Sequence, residues 1–297
     1  MEIVFLGTSC MSPTKDRNPF SVFIRYKNEG ILVDCGEGTQ RQFKISDISL
    51  TKITKILITH WHGDHILGLP GLMQTLGASQ YNGKLSVYGP KGTKKFFENL
   101  KKSFYFDLRI EYEIIETNKD MTIFENKDFQ IEARYLEHGV PCLGYRISEK
   151  AKRRIDMNKI RKIGIPFGPL IGKLQDDKSI KYKGKKIKPD DVSIIENGKS
   201  IAIVVDTVMC KNALKLANNA DLLIAESTFT SDLEEKGEEY GHLTAGQAAS
   251  LANLANVKSL ILTHFSQRYK TMDDILEDAK KTFKNVKCAF DLMKIKV

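Results

Sequence analysis

The sequence predicts an α/β fold of four layers, two β-sheets packed face to face with helices on both outer sides. Three observations carry that prediction. Short apolar runs recur along the 297 residues, and most of them end in a polar side chain able to touch a metal. Helix-period segments stand between the runs. A weak internal echo links Leu57-Ile58-Thr59-His60-Trp61 with Ile261-Leu262-Thr263-His264-Phe265, and a strand ending in Asp precedes each, at Asp34 and at Asp206. Two such βα halves packed sheet on sheet make an αββα sandwich with a site between them.

Taken in order, a strand at 30–33 leads to Asp34, one at 55–59 to His60, one at 129–137 to His138, one at 201–205 to Asp206 and one at 259–263 to His264. Five strands therefore deliver polar groups at their C-terminal ends, where α/β folds place their chemistry. Helices are predicted at 68–77, 93–102, 212–220, 244–255 and 272–283, with Thr244 and Thr271 as N-caps. Residues 150–192 break this rhythm with Pro166-Phe167-Gly168-Pro169, Gly172, Gly184 and many lysines. They read as an insertion outside the core, so 1–149 and 193–297 are the two parts of one domain and 150–192 is an arm.

Hydrophobic content of 41% and charged content of 28% describe a globular chain with a sizeable core. The first ten residues have no basic lead and no run of 18 apolar residues occurs, so a cytoplasmic protein without a membrane anchor is expected. Cys10, Cys35, Cys142, Cys210 and Cys288 are odd in number and contain no C-x-x-C pair. They indicate neither a disulfide framework nor a thiolate zinc site, and read as structural or incidental thiols. Residues 150–190 hold fourteen Lys and Arg against Asp156, Asp176, Asp177 and Asp190, a net of +10 within a chain total of +9. The basic character thus belongs to one segment. Beside a hydrolytic site it serves as a handle for a polyanion, because each neutralised phosphate releases counterions whatever the base sequence.

All six histidines fall in patterns that can serve a metal. Three imidazoles and a carboxylate occur in His60-Trp61-His62-Gly63-Asp64-His65, a run that composition alone produces on the order of once in ten thousand chains this long. Imidazole and carboxylate donors without thiolates suit two Zn²⁺ ions, and ligand type alone also admits Mn²⁺ or Fe²⁺. His60, His62 and His138 are expected on one ion and Asp64, His65 and His264 on the other, with Asp206 bridging. A lone His138 or His264 would ordinarily be a hydrogen-bonded core residue; next to this run it reads as a ligand. Two ions roughly 3.5–4 Å apart can share a hydroxide and clamp the oxygens of a phosphate. His242 opens a helix instead of ending a strand, so it is assigned as an acid beside the metals, with Glu226 as its partner. Asp34 is expected to orient a ligating histidine.

These residues resemble the metallo-β-lactamase superfamily and, within it, the tRNase Z family of tRNA 3′-processing endoribonucleases, over almost the whole chain. Pro13-Thr14-Lys15-Asp16-Arg17-Asn18 is similar to that family's P-x-K-x-R-N loop. Ala225-Glu226-Ser227-Thr228-Phe229 and His242-Leu243-Thr244 resemble its H-E-A-T and H-x-T elements, and the insertion with Gly168-Pro169 resembles its flexible exosite arm. Val205, Val208-Met209, Ala225 and Ser227 depart from the family's usual residues while leaving every proposed ligand in place. The resemblance implies a di-zinc homodimer in which one subunit's arm holds precursor tRNA for the other's active site. It implies cleavage on the 3′ side of the discriminator nucleotide, leaving a tRNA 3′-hydroxyl, by a metal-bridged hydroxide. Asp64 then accepts a proton from the attacking water and His242 with Glu226 donates one. Lys15, Arg17 and Asn18 would read the acceptor end, with Ser266 and Arg268 as phosphate contacts. The alternatives are a phosphodiesterase for small or cyclic phosphodiesters or a thioester hydrolase, neither of which needs a basic arm, and a non-catalytic RNA binder, which would not need all seven ligands.

Overall fold

A computed structural model of the chain describes residues 1–105 and 108–297. The first part contains β1 (Glu2–Gly7), β2 (Ser21–Tyr26), β3 (Glu29–Val33), α1 (Thr39–Ile45), β4 (Lys55–Leu57), the single-turn α2 (Gly63–Ile66), α3 (Leu69–Ala78), β5 (Lys84–Pro90), α4 (Thr93–Lys102) and β6 (Glu111–Thr117). Next come β7 (Met121–Glu125), β8 (Phe129–His138) and β9 (Val140–Glu149). The insertion adds β10 (Lys152–Ile155), α5 (Met157–Ile163), α6 (Pro169–Gln175), β11 (Ile180–Tyr182), β12 (Lys185–Ile187) and β13 (Ser193–Glu196). The chain then forms β14 (Ser200–Val204), α7 (Lys211–Ala217), β15 (Leu222–Glu226), α8 (Glu234–Tyr240), α9 (Ala245–Leu254), β16 (Leu260–Thr263), α10 (Asp273–Lys280), β17 (Val286–Cys288) and β18 (Lys294–Lys296).

Two seven-stranded sheets result, ordered β18-β1-β2-β3-β4-β5-β6 and β17-β16-β15-β14-β9-β8-β7. Strand alternation decides which layer each side chain joins. Ile31, Val33 and Leu57 of the first sheet meet Ile201, Ile203 and Ile224 of the second in the central core, while Leu32 and Ile56 turn outward. The outward faces are covered by α1, α3 and α4 on one side, through Phe43, Leu72 and Phe97. On the other side Ala202 and Val204 meet α7, α9 and α10 through Leu216, Ala248 and Ile275. This is the expected αββα sandwich. Each half contains a parallel run, β3-β4-β5-β6 and β14-β15-β16-β17. Asp34 and Asp206 follow the first strand of their runs, but His60 follows the second strand and His264 the third. The echo of Thr-His is therefore displaced by one strand, since short apolar strands resemble one another, and Glu226 is the residue at the end of the second strand in the second run.

Thr244 caps α9 as expected, accepting from the Gln247 amide while Gln247 reaches back to the Thr244 amide. Thr271 does not cap α10: Met272 holds that position without a side-chain bond, and Asp273 and Asp274 in the first turn complement the helix dipole instead. That helix also stops at Lys280 rather than running to 283.

The insertion is built around its own apolar cluster of Ile160, Ile165, Leu174, Ile180, Ile187 and Val192. Its base is a β-pair running from Lys152 against Glu196 to Ile155 against Ser193, so it closes four residues beyond 192. Asp156 caps α5. At the far end Lys183 and Gly184, both with positive φ, turn the β11–β12 hairpin. Arg153 is tied to Asp177 and Asp190, and Arg154 to Glu196. Lys181, Lys183, Lys185 and Lys186 crowd the exposed hairpin.

Candidate dinuclear metal site

Strand ends from both sheets converge where the chain leaves β3, β4, β8, β14 and β16. Asp34, Asp206 and His264 each take a left-handed φ, of 56°, 54° and 58°. For non-glycine residues that conformation costs energy and persists only when the surroundings hold it, as at functional sites. It turns each side chain out of the strand and into the space between the sheets.

Two clusters of donors result. His60 Nε2 lies 2.9 Å from His62 Nδ1, which lies 3.2 Å from His138 Nε2. His65 Nε2 lies 3.2 Å from His264 Nε2, with Asp64 Oδ2 at 3.4 and 3.6 Å from the two rings. Asp206 stands between them. Its Oδ2 is 3.7 Å from His60 and 3.6 Å from His138, and its Oδ1 is 3.4 Å from His65 and 3.3 Å from His264. That Oδ1 is buried and has no hydrogen-bond partner among the described residues. An unpaired buried carboxylate oxygen is costly unless a cation is meant to meet it. The donor set fits a divalent metal site on this ground, with all seven residues expected as ligands brought together and Asp206 between the two clusters.

Charge follows the same geometry. Burial, reinforced by repulsion from His65, pushes His60 well below the ordinary histidine range, and burial with His138 lowers His62. Both are thus neutral, the form that ligates. Burial also opposes charge on His65 and His264, but Asp206 overcomes it and raises both well above that range, with Asp34 adding to the effect on His65. Asp206 and Asp64 are correspondingly held low by these rings despite burial.

Asp34 does more than the sequence promised. It is fully buried and accepts from the Thr59 amide, the Thr59 hydroxyl and His65 Nδ1, each at 2.7 Å. Burial raises its pKa, yet all three neighbours are donors, so the acceptor-only carboxylate is the form that satisfies them. The Thr59 hydroxyl, having donated to Asp34, is left to accept from His60 Nδ1 at 3.0 Å. One carboxylate therefore sets the ring orientation of a ligand in each cluster. His138 is fixed differently, by donating from Nδ1 to the Gly241 carbonyl at 2.8 Å, and Gly241 needs its positive φ of 73° to end α8 there. His264 is served by Thr228 at 3.2 Å.

His242 Nδ1 is bonded to Glu226 Oε2 at 2.9 Å, leaving Nε2 for the cleft. Glu226 is fully buried and held by the Thr207 amide and the Thr228 hydroxyl, each at 2.7 Å. Burial disfavours charge on His242, and Glu226 outweighs it, pushing the ring up to about 9. The Glu226 carboxylate thus favours the protonated ring, the form a general acid needs.

A cleft of about 750 Å³ opens over Asp64, His62, His138, Asp206 and His242. Ser266 and Arg268 line it. Lys15, Arg17 and Asn18 do not. Arg17 donates to the Ser266 and Tyr269 carbonyls at 3.2 and 2.8 Å, bracing the cleft wall, and Asn18 is spent on the Glu37 carbonyl and on Asp291. Lys15 is exposed at the loop tip. Several contributors left no mark in the sequence: the Met11 amide that holds Asp64 Oδ2 at 2.8 Å, the Gly241 carbonyl, and Phe229, Lys236 and Tyr240 of the cleft wall. Cys10, read as an incidental thiol, lies among Asp64 and His264. Val205, a departure from the family's usual glycine, is buried in the central core.

An αββα sandwich whose strand ends gather histidines and aspartates able to hold a divalent metal defines the metallo-β-lactamase class, and residues 14–149 match the Metallo-beta-lactamase superfamily. Along its full length the chain is 40% identical to a ribonuclease Z of Methanothermobacter thermautotrophicus, covering 97% of it. It is 38% identical to one of Methanosarcina acetivorans, again along its full length and covering 98% of that relative. The crystal structure of the short form of human tRNase Z superposes with a TM-score of 0.75 at 29% identity, over 100% of this chain and 99% of that one. The chain belongs to the ribonuclease Z family, and is an endoribonuclease, a phosphodiester hydrolase. Among the described residues no helix is long and apolar enough to cross a membrane.

Proposed function

We propose that this enzyme removes the 3′ trailer from precursor tRNA, cutting on the 3′ side of the discriminator nucleotide and leaving a tRNA 3′-hydroxyl. The observation that carries the reading is the pairing of two seats of opposite role around Asp206. Asp64 lies with the rings that face Oδ1, and His242 Nδ1 lies 3.9 Å from Oδ2, with its ring beside His138 and His264. His60, His62 and His138 would hold one Zn²⁺, Asp64, His65 and His264 the other, with Asp206 on both. Such ions supply an acidified water and neutralise charge on the phosphate. The chain does the rest. Asp64, anchored by the Met11 amide, accepts the proton of the attacking water. His242, kept protonated by Glu226, gives its Nε2 proton to the departing O3′, so the P–O3′ bond breaks as the new P–O bond forms.

The exposed lysines of the arm grip the tRNA body at a distance from the cut, and the enzyme works as a homodimer with one subunit's arm serving the other's cleft. A small phosphodiester would gain nothing from that grip. The test is incubation of a 3′-extended precursor with mapping of product ends, for wild type, Asp64→Ala and a chain lacking residues 150–190. Cleavage at the discriminator, abolished by Asp64→Ala, is expected, with the arm deletion damaging precursor cleavage far more than hydrolysis of a small phosphodiester. Cleavage elsewhere, or equal loss on both substrates, would overturn the reading.

A further inference from the structure

The cleft wall beside His242 is aromatic and cationic in a way that the metal chemistry leaves unexplained. Tyr240, the last residue of α8, is 55% exposed, and its ring meets no other aromatic ring among the described residues. Lys236, one helical turn earlier, places its ammonium 5.8 Å from the Tyr240 ring centre and 5.9 Å from that of Phe229. The Arg268 guanidinium approaches the same Phe229 ring at 5.3 Å. Neither cation has a carboxylate partner among the described residues, although the chain pairs Lys55, Arg153 and Lys258 with acids elsewhere. Phe229 in turn packs against His242, with ring centres 6.4 Å apart. Unpaired cations and one open ring therefore converge next to the group that donates the proton.

The geometry points to a nucleotide subsite in which Tyr240 stacks the base of the nucleotide carrying the departing O3′, while Lys236 contacts a phosphate of the same strand. This rests on the proposed cleavage. Because His242 delivers its proton to O3′, that ribose must lie against His242, and in-line displacement places the entering water on the opposite face of phosphorus. Its base then has Tyr240, two residues away in sequence and lining the same cleft, as its exposed aromatic neighbour. An exposed π-face accepts any base, so the subsite fits a discriminator position that varies among tRNAs.

The experiment compares wild type, Tyr240→Ala and Tyr240→Phe on a 3′-extended precursor and on the same precursor with an abasic discriminator. Folding and metal content of each variant are checked alongside. Stacking is expected to give Tyr240→Ala a loss of about 5- to 150-fold in kcat/KM on the intact precursor, with Tyr240→Phe close to wild type. On the abasic precursor wild type and Tyr240→Ala should be equally slow. An equal fold-loss on both substrates, or a Tyr240→Phe as poor as Tyr240→Ala, would overturn the base contact. Lys236→Ala should reduce the slope of log kcat/KM against log salt by about one. An unchanged slope would overturn the phosphate contact. Wild type that cuts at the discriminator while Tyr240→Ala fails these comparisons removes the subsite alone; wild type that never cuts there removes the cleavage reading with it.

Discussion

Replacing Asp34 by Asn keeps the volume of a buried side chain and changes only which of its atoms accept. One amide oxygen can face the Thr59 amide or the pair formed by the Thr59 hydroxyl and His65, but not both. If the oxygen turns to His65, the NH₂ faces a backbone N–H and a buried donor goes unmet, at a cost of about 1–3 kcal/mol. The backbone cannot move its hydrogen. His65 can, by taking the tautomer with a bare Nδ1 and a hydrogen on Nε2, so the amide nitrogen settles there. That places an N–H where a lone pair should meet the metal. The Thr59 hydroxyl, no longer required to donate to residue 34, is also released from setting His60. Loss of such an orienting partner reduces metal affinity by about 10- to 100-fold, roughly 1.4–2.7 kcal/mol. Asp34→Asn should show at least that loss when purified protein competes for zinc with a coloured chelator, with its far-ultraviolet circular dichroism unchanged. Thr59→Val removes the hydroxyl that links Asp34 to His60 but leaves the direct Asp34–His65 bond in place, and should lose less. A folded Asp34→Asn protein that holds zinc as tightly as wild type would show that Asp34 does not set these rings.

Further outcomes follow from the same charges. Since Asp206 raises His65 and His264, both must shed protons to ligate, so zinc binding should release protons and weaken as pH falls; titration calorimetry in buffers of unlike ionisation enthalpy measures this. On the proposed mechanism His242 acts in its protonated form, which Glu226 favours by pushing the ring up to about 9, so turnover should fall as pH rises through that value. Glu226→Gln removes the main opposing charge and should move that alkaline limb toward neutrality, read from a kcat/KM profile against pH. The sign for stability is the same: the His242–Glu226 pair contributes fully below the unfolded histidine value of about 6.5 and is lost as pH rises through about 9. Changing Lys181, Lys183, Lys185 and Lys186 together to Gln should raise KM for a precursor and flatten its salt dependence while leaving kcat nearly unchanged.

Much of this was legible in the sequence because metal ligation leaves side-chain marks at strand ends. A residue such as Asp206 or His264 stands out against the apolar strand before it, and the two-residue alternation of Ile201, Ala202, Ile203 and Val204 assigns the layers. Helix ends were less legible. Thr271 has the chemistry of a cap, but Asp273 and Asp274 supply the same electrostatic service two residues later, and local sequence does not say which will be used.

What sequence could not show is function carried by the backbone or by rotation of a side chain. The Met11 amide and Gly241 carbonyl hold Asp64 and His138, yet every residue has an amide and a carbonyl. The P-x-K-x-R-N loop is the sharpest case. Arg17 and Asn18 suit RNA contact by residue type, but the Arg17 guanidinium is bonded to the Ser266 and Tyr269 carbonyls and the Asn18 side-chain amide to the Glu37 carbonyl, contacts that place the loops around the cleft. Asp291 anchors that loop from the C-terminal end of the chain, accepting from the Thr8 hydroxyl and the Asn18 amide at 2.8 and 2.7 Å. The loop is thus pinned at Thr8 and Asn18, its Met11 amide fixes Asp64, and its Arg17 fixes the wall that carries Arg268. Motif and metal site are one rigid assembly, and a substitution at Arg17 should alter cleavage through the position of Ser266 and Arg268 rather than through a lost contact of its own.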